Sequence, residues 1–370
     1  MAFPSKRLAP VVIAFAAAAV ALRPAFADDA PKPDRSKFVP RTFTLKEADV
    51  SLDKALDELQ RQTDIAVDRS RADTTRSLKI DCTNAPFWEA LEKIAKGSDH
   101  RIQFAEQGLK IMLVTGEGIT YKELPMCVDG PFRVTASRVT AITDLEMDRS
   151  TCEVQLILQW EPHFAVFMVE QPGEKVVVKD NTDRQLQVAE AGRGRLPAGG
   201  GGRRLDLRLQ DVPRASRTIK SIEGKLNVVG SGVLQRFEFP EPGAKELVEK
   251  KDDVSVKVRT DFKEGSELWT AYVTIEYPAG GPQFESFESV GWLADVKATL
   301  VSADGKRRMD VNGGEETVSA SERTARVNYR WVPEDNSKLG KPGDWKLVVQ
   351  TPGKFVESTV NFKLENIPLP

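Results

Sequence analysis

Beyond Thr120 the chain never again spaces its apolar residues at helical intervals, and that change of period constrains the fold more than any other feature of the sequence. Side chains that alternate every second residue belong to a strand with one buried face, whereas a stripe recurring every three or four residues belongs to a helix. After Thr120, alternating β-branched and aromatic runs are broken by Gly, Pro, Asp and Asn: FRVTASRVTAI (132–142), CEVQLILQW (152–160), and further runs at 175–180, 185–189, 203–209 and 217–239. Pro240 to Gly243 interrupts the series, and KELVEKKDD (245–253) is a charged link to a second series that opens with VSVKVRTDF at Val254 and closes with FVESTVNFKLENI. Strands at this spacing predict two consecutive, mainly antiparallel β-sandwich domains, over residues 120–242 and 250–370.

Residues 41–115 read differently. TFTLKEA (42–48) alternates as a half-buried strand, and Ser51 stands as an N-cap before Leu52, Ala55, Leu56 and Leu59, which form one helical stripe. Short strands follow at Ile65–Val67 and Leu78–Ile80. A second helix starts at Pro86, places Phe87, Leu91, Ile94 and Ala95 on one side, and stops at Gly97. A hairpin closes the segment around Glu106-Gln107-Gly108, so the predicted order is β-α-β-β-α-β-β. The fold class expected is therefore multidomain α+β: this small domain followed by the two β-sandwich domains.

The stretches VSLDKALDELQRQTDIAVD and LKIDCTNAPFWEALEKIAKGSDHRIQFAEQGLKIMLV resemble the secretin/TonB N-terminal short (STN) domain found in secretins and TonB-dependent transducers and receptors. The likeness lies in two amphipathic helices, each following a small or proline residue and each leading into a strand, and in the terminal hairpin. It covers about one fifth of the chain. The repeated ten-residue strand pattern of an outer-membrane barrel does not follow it. In the family this domain docks periplasmic partners, so the resemblance implies a protein-interaction module that engages an envelope protein through residues 41–115. The chain as a whole resembles secreted planctomycete-type proteins that join such a domain to β-sandwiches.

Residues 1–27 combine a basic start (Lys6, Arg7), a 15-residue apolar run from Leu8 to Leu22, and Ala25-Phe26-Ala27 before Asp28, the three parts of a secretory signal peptide. The run contains Pro10 and falls short of the roughly 20 apolar residues that span a bilayer. The chain is thus expected to be exported, to the periplasm or beyond, and not to be an integral membrane protein once the leader is cleaved. Residues 28–40, with three prolines, read as a flexible linker. Without Lys6, Arg7 and Arg23, 50 basic and 55 acidic residues remain, a net charge of −5 that supplies no global reason to bind nucleic acid.

Chemistry is thinly provided for. The chain has two histidines, His100 and His163, and neither has a second metal ligand at helical or hairpin spacing. GxSxG, HExxH and CxxC are absent, so neither an enzyme nor a cofactor is expected. Of the three cysteines, Cys127 and Cys152 are the candidate disulfide of an exported chain, the alternative being three buried, reduced thiols. AGRGRLPAGGGGRR (191–204) reads as a glycine-rich hairpin loop. Residues 191–225 carry nine basic residues against three acidic ones, which makes Arg193, Arg195, Arg203, Arg204 and Arg208 a candidate anion-contact patch or else a solvated strand face. Four of the six tryptophans lie in the last domain; Trp269 and Trp331 read as core, and Trp292 is the candidate exposed aromatic. The function expected is that of an exported, non-enzymatic envelope protein whose STN-like domain binds a protein partner. The alternative is carbohydrate or cell-wall glycan binding through the β-sandwiches.

Overall fold

The computed structural model describes residues 38–146, 149–173, 175–189, 194–213, 215–280, 291–321, 323–333 and 339–370. The expected signal peptide, most of the expected linker and Arg193 lie outside these residues. Within them the chain is mainly β with two α-helices, as the change of period predicts.

The first module runs β1 (Thr42–Ser51), α1 (Leu52–Thr63), β2 (Val67–Arg71), β3 (Ser77–Pro86), α2 (Phe87–Ser98), β4 (Arg101–Ala105) and β5 (Lys110–Val114). Ser51 caps α1, its hydroxyl accepting from the Lys54 amide, and Asp64 ends that helix in the left-handed region at φ 57°. Pro86 opens α2 at φ −53°, and Asp99 closes it at φ 56°. β1 and β3 form an antiparallel ribbon on which both helices pack. β5 lies between β2, to which it is parallel, and β4, to which it is antiparallel. Helix and strand faces meet in one core that includes Phe43, Leu59, Phe87, Trp88 and Leu113.

The next strands are β6 (Met126–Asp129), β7 (Phe132–Asp144), β8 (Arg149–Trp160), β9 (Ala165–Glu170), β10 (Val177–Asp180), β11 (Gln185–Val188), β12 (Arg195–Pro197), β13 (Gly202–Gln210) and β14 (Thr218–Ser231). With β24 (Phe355–Pro368), which pairs with β14, they join one ten-stranded path in the order β12-β9-β14-β10-β11-β13-β8-β7-β6. The sheet branches at β14, which pairs with β10 near its start and with β9 near its end. Its strands share a core of their own, and β7 and β8 form a long antiparallel pair in it.

The remaining strands are β15 (Leu234–Pro240), β16 (Leu247–Lys251), β17 (Val254–Asp261), β18 (Trp269–Glu276), β19 (Lys297–Ser302), β20 (Arg308–Asp310), β21 (Glu315–Ala320), β22 (Thr324–Trp331), β23 (Trp345–Pro352) and β24 (Phe355–Pro368). The sheets β15-β23-β19-β20 and β16-β17-β18-β22-β21 share one core. Strand pairing crosses the expected division at 242–250 twice. β15 pairs with β23, whereas β24 leaves this pair of sheets and lies along β14 from Thr218↔Pro368 to Ser231↔Phe355. The two β regions are therefore laced together by the C-terminal strand instead of following one another in sequence.

Trp292, expected to be exposed, is fully buried. It sits where the regions meet, 4.8 Å edge-on from Tyr277 and 6.0 Å from Phe355, in a core shared with Phe167 and Met168 of β9. Of the residues that cover it, Phe355 is 63 positions away and Phe167 and Met168 are more than 120, which local pattern does not reveal.

Candidate functional site at the module junction

Three sets of buried polar contacts join the first module to the ten-stranded sheet. Pro86 fixes the start of α2, so Trp88 falls in its first turn and turns inward, almost wholly buried. Its indole N–H donates to the Pro131 carbonyl at 3.0 Å, just ahead of β7. One turn further on, Glu92 faces Arg133 of β7: Arg133 Nε and Nη2 donate to Glu92 Oε1 at 3.0 and 2.5 Å, and Nη1 donates to Gln159 Oε1 of β8 at 2.5 Å. Tyr121 Oη stands 3.5 Å from Glu92 Oε2, and burial together with that carboxylate pushes its phenol up to about 12. Arg133 is only 6% exposed, so its charge is carried inside the joint by a carboxylate and an amide.

The third contact is made by the end of the expected linker. Phe38 packs edge-on against Phe132 and Phe164, and the Arg41 amide donates to both Glu161 oxygens at 3.2 and 3.0 Å. Glu161 is completely buried, and desolvation pushes its carboxyl up to about 8. His163 Nδ1 lies 3.6 Å from Glu161 Oε2, beyond hydrogen-bond reach, and burial drives the imidazole down to about 4. Both groups are held neutral near pH 6. The burial of Glu161 follows from the module packing over it, for which no local signal exists in the sequence.

Opposite signs of linkage follow from this pair. Glu161 keeps its proton in the folded chain where the unfolded chain has released it, so its contribution to stability is whole below about pH 4.5 and is lost as pH rises toward 8. His163 stays neutral in the folded chain, so its contribution is lost as pH falls from about 6.5 toward 4. Glu161→Gln keeps the shape and removes the ionisation. Thermal melting of the wild-type chain between pH 6 and 8.5 is expected to fall more steeply than that of the variant, by up to about 1 kcal/mol per pH unit. Equal slopes would contradict the assignment.

Glycine serves the same joint. A Cβ on Gly201 would meet the Gly108 carbonyl oxygen at 2.1 Å, so the turn before β5 and the loop before β13 approach backbone to backbone. This gives the glycine-rich segment a packing role at Gly201, where a hairpin loop alone is expected. His100, at the end of α2, is also structural: its Nε2 accepts from the Asp73 amide at 3.0 Å while Nδ1 faces the Ser98 carbonyl at 2.8 Å. Among the described residues no group of three or more His, Cys, Asp or Glu is placed to hold a metal ion.

Beside these joints lies a cleft of about 960 Å³, bounded by α2, residues 121–126, β7 at 136–139 and the chain end at 363–370. Lys93, Lys96, Lys122, Arg138 and Lys363 line it, together with Glu92, Glu123 and Glu365. Leu124, Met126, Val139 and Ile367 supply its apolar floor.

The other candidate residues do not gather into a site. Cys127 lies opposite Val134 and Cys152 opposite Ala141, seven positions further along β7. At about 3.3 Å per residue that places them roughly 20 Å apart along the strand, far beyond the span of a disulfide. Cys82, Cys127 and Cys152 are all free, and burial pushes each thiol up. The arginines do not form one patch either. Arg203 and Arg204 are successive on β13 and point to opposite faces; Arg195 pairs with Glu357 at 2.9 Å and Arg208 with Glu153 at 3.1 Å. Carboxylates that lie far off in sequence thus pair with Arg195 and Arg208, which a local count of charges does not reveal.

No family model and no curated protein matches the chain. One solved structure does, from the Salmonella SPI-1 type III secretion injectisome basal body proteins InvG, PrgH and PrgK, at 10% identity over 88% of this chain and 92% of that one. Its TM-score of 0.16 is too low to inform the fold or the function. Among the described residues no helix is long and apolar enough to cross a membrane.

Proposed function

We propose that this is an exported envelope protein that acts by binding, with the STN-like module at 41–115 as its protein-interaction surface and the β regions as the scaffold that displays it. The observation that carries this reading is the way the module is held. Trp88, Glu92 and Arg41 fix one side of it through buried polar contacts, while the β1–β3 ribbon turns its polar face, with Lys46, Lys79 and Asp81, to solvent. A rigidly mounted sheet with unpaired edges suits strand or side-chain recognition by a partner, because little further ordering is needed on binding. Gln62 brackets Thr44 with two hydrogen bonds at 2.9 Å and so closes part of the β1 edge, which directs the reading to the β3 side. Trp269, Trp292, Trp331 and Trp345, the aromatics that a glycan reading would draw on, are buried, which favours the protein-binding reading.

A photocrosslinking amino acid introduced into the full chain in place of Lys79 is expected to give a discrete protein adduct in envelope extract. The same group in place of Lys306, exposed in the second β region, should give none. Equal yields at both positions, or no adduct at Lys79, would overturn the reading.

A further inference from the structure

We infer that the cleft beside α2 takes an extended acidic peptide segment of another protein, which adds as a strand to the free edge of β7. This inference depends neither on export nor on the role of the β1–β3 ribbon.

The backbone provides the first argument. β6 pairs with β7 only from Phe132 to Thr135, and the Ala136 amide is then taken by the Pro125 carbonyl at 2.9 Å. On its other side β7 stays paired with β8 as far as Asp144. From Ser137 to Asp144, therefore, the β6 side of β7 has no strand partner among the described residues. The bulge between Ala136 and Arg138 bends β7 at the point where β6 departs. Across the cleft runs the end of β24, whose one ladder partner among the described residues is β14. An edge of free N–H and C=O groups that opens into a cavity is a template for one more strand.

Side chains supply the second argument, and they choose the occupant. The three side-chain carboxylates lining the cleft are already engaged: Glu92 with Arg133 at 2.5 Å, Glu123 with Lys96 at 3.2 Å and Glu365 with Lys363 at 2.9 Å. Lys122 and Arg138 line the same cleft and have no carboxylate partner among the described residues. Unpaired cations above an apolar floor of Leu124, Met126, Val139 and Ile367 match a strand that alternates acidic and apolar residues, since alternate side chains leave a strand on opposite faces.

The test uses the full chain without its leader and a fluorescent, end-capped octapeptide alternating glutamate with valine. Saturable binding by anisotropy is expected. It should weaken at least tenfold when lysine replaces the glutamates and when a proline interrupts the middle of the peptide, because proline removes a ladder donor. Arg138→Glu should weaken binding by a similar factor, whereas Arg208→Glu, on the outer face of β13, should leave it unchanged; circular dichroism identifies any variant that has not folded. Amide exchange should slow at residues 138–144 in the complex. Four results would each overturn the inference: no saturable binding, equal binding of the proline peptide, protection confined to other residues, or a dimer of the free chain in which those amides are already protected.

Discussion

Trp88→Ala is expected to destabilise the first module by about 4 kcal/mol. Trp88 is 1% exposed, its ring stands 5.0 Å edge-on from Phe87 and 6.1 Å from Phe104, and its N–H satisfies the Pro131 carbonyl. Alanine removes the packing and leaves both a cavity and a buried acceptor without a donor. Trp88→Phe fills most of the space and loses only the hydrogen bond, so it should cost about 1 kcal/mol. The described residues form three cores that need not melt together, so the measurement is amide exchange in α2 rather than a global denaturation curve. If Trp88→Ala changed the opening free energy of α2 by less than about 1 kcal/mol, the packing account would fail.

Local structure in this chain is written in local pattern. The helical spacing of Leu52, Ala55, Leu56 and Leu59, the Ser51 cap and the proline before Phe87 correspond to α1 and α2 because capping and amphipathicity are decided within one or two turns. The alternation in β13, β17, β18 and β22 corresponds to strands for the same reason. Pairing is another matter. β14 and β24 meet at Leu226↔Val360, and the same alternation would satisfy either strand in many other registers. Every feature of the junction depends on such distant pairing: Glu161 is buried by Phe38 and Arg41, Arg133 finds Glu92, and the cleft opens only because β24 returns beside β7. Trp292 and the Cys127–Cys152 pair failed on the same point, since each was judged from its neighbours in sequence. Spatial neighbours decided both.

Arg133 offers a sharper test of how the module is held than any apolar residue, because two different substitutions at this joint should have opposite consequences. Arg133→Met alone strands Glu92 and Gln159 in a buried joint without their donor, and removal of one partner of a buried pair costs about 3 to 5 kcal/mol. Tyr121, 3.5 Å from the same carboxylate, offers only partial compensation. Glu92→Leu combined with Arg133→Met removes both charges, and burial of well-packed apolar groups then offsets the lost attraction, so the double variant should lie within about 1.5 kcal/mol of the wild type. The coupling between the two positions, taken from the full double-mutant cycle and read as amide exchange in α2 and β7, is therefore expected to be large and favourable. Additive effects would mean that the module is not held through this pair. Stability recovered without the original geometry would show in the cleft, because Glu92 also lines it: the double variant should regain exchange protection in α2 while its affinity for the acidic peptide changes.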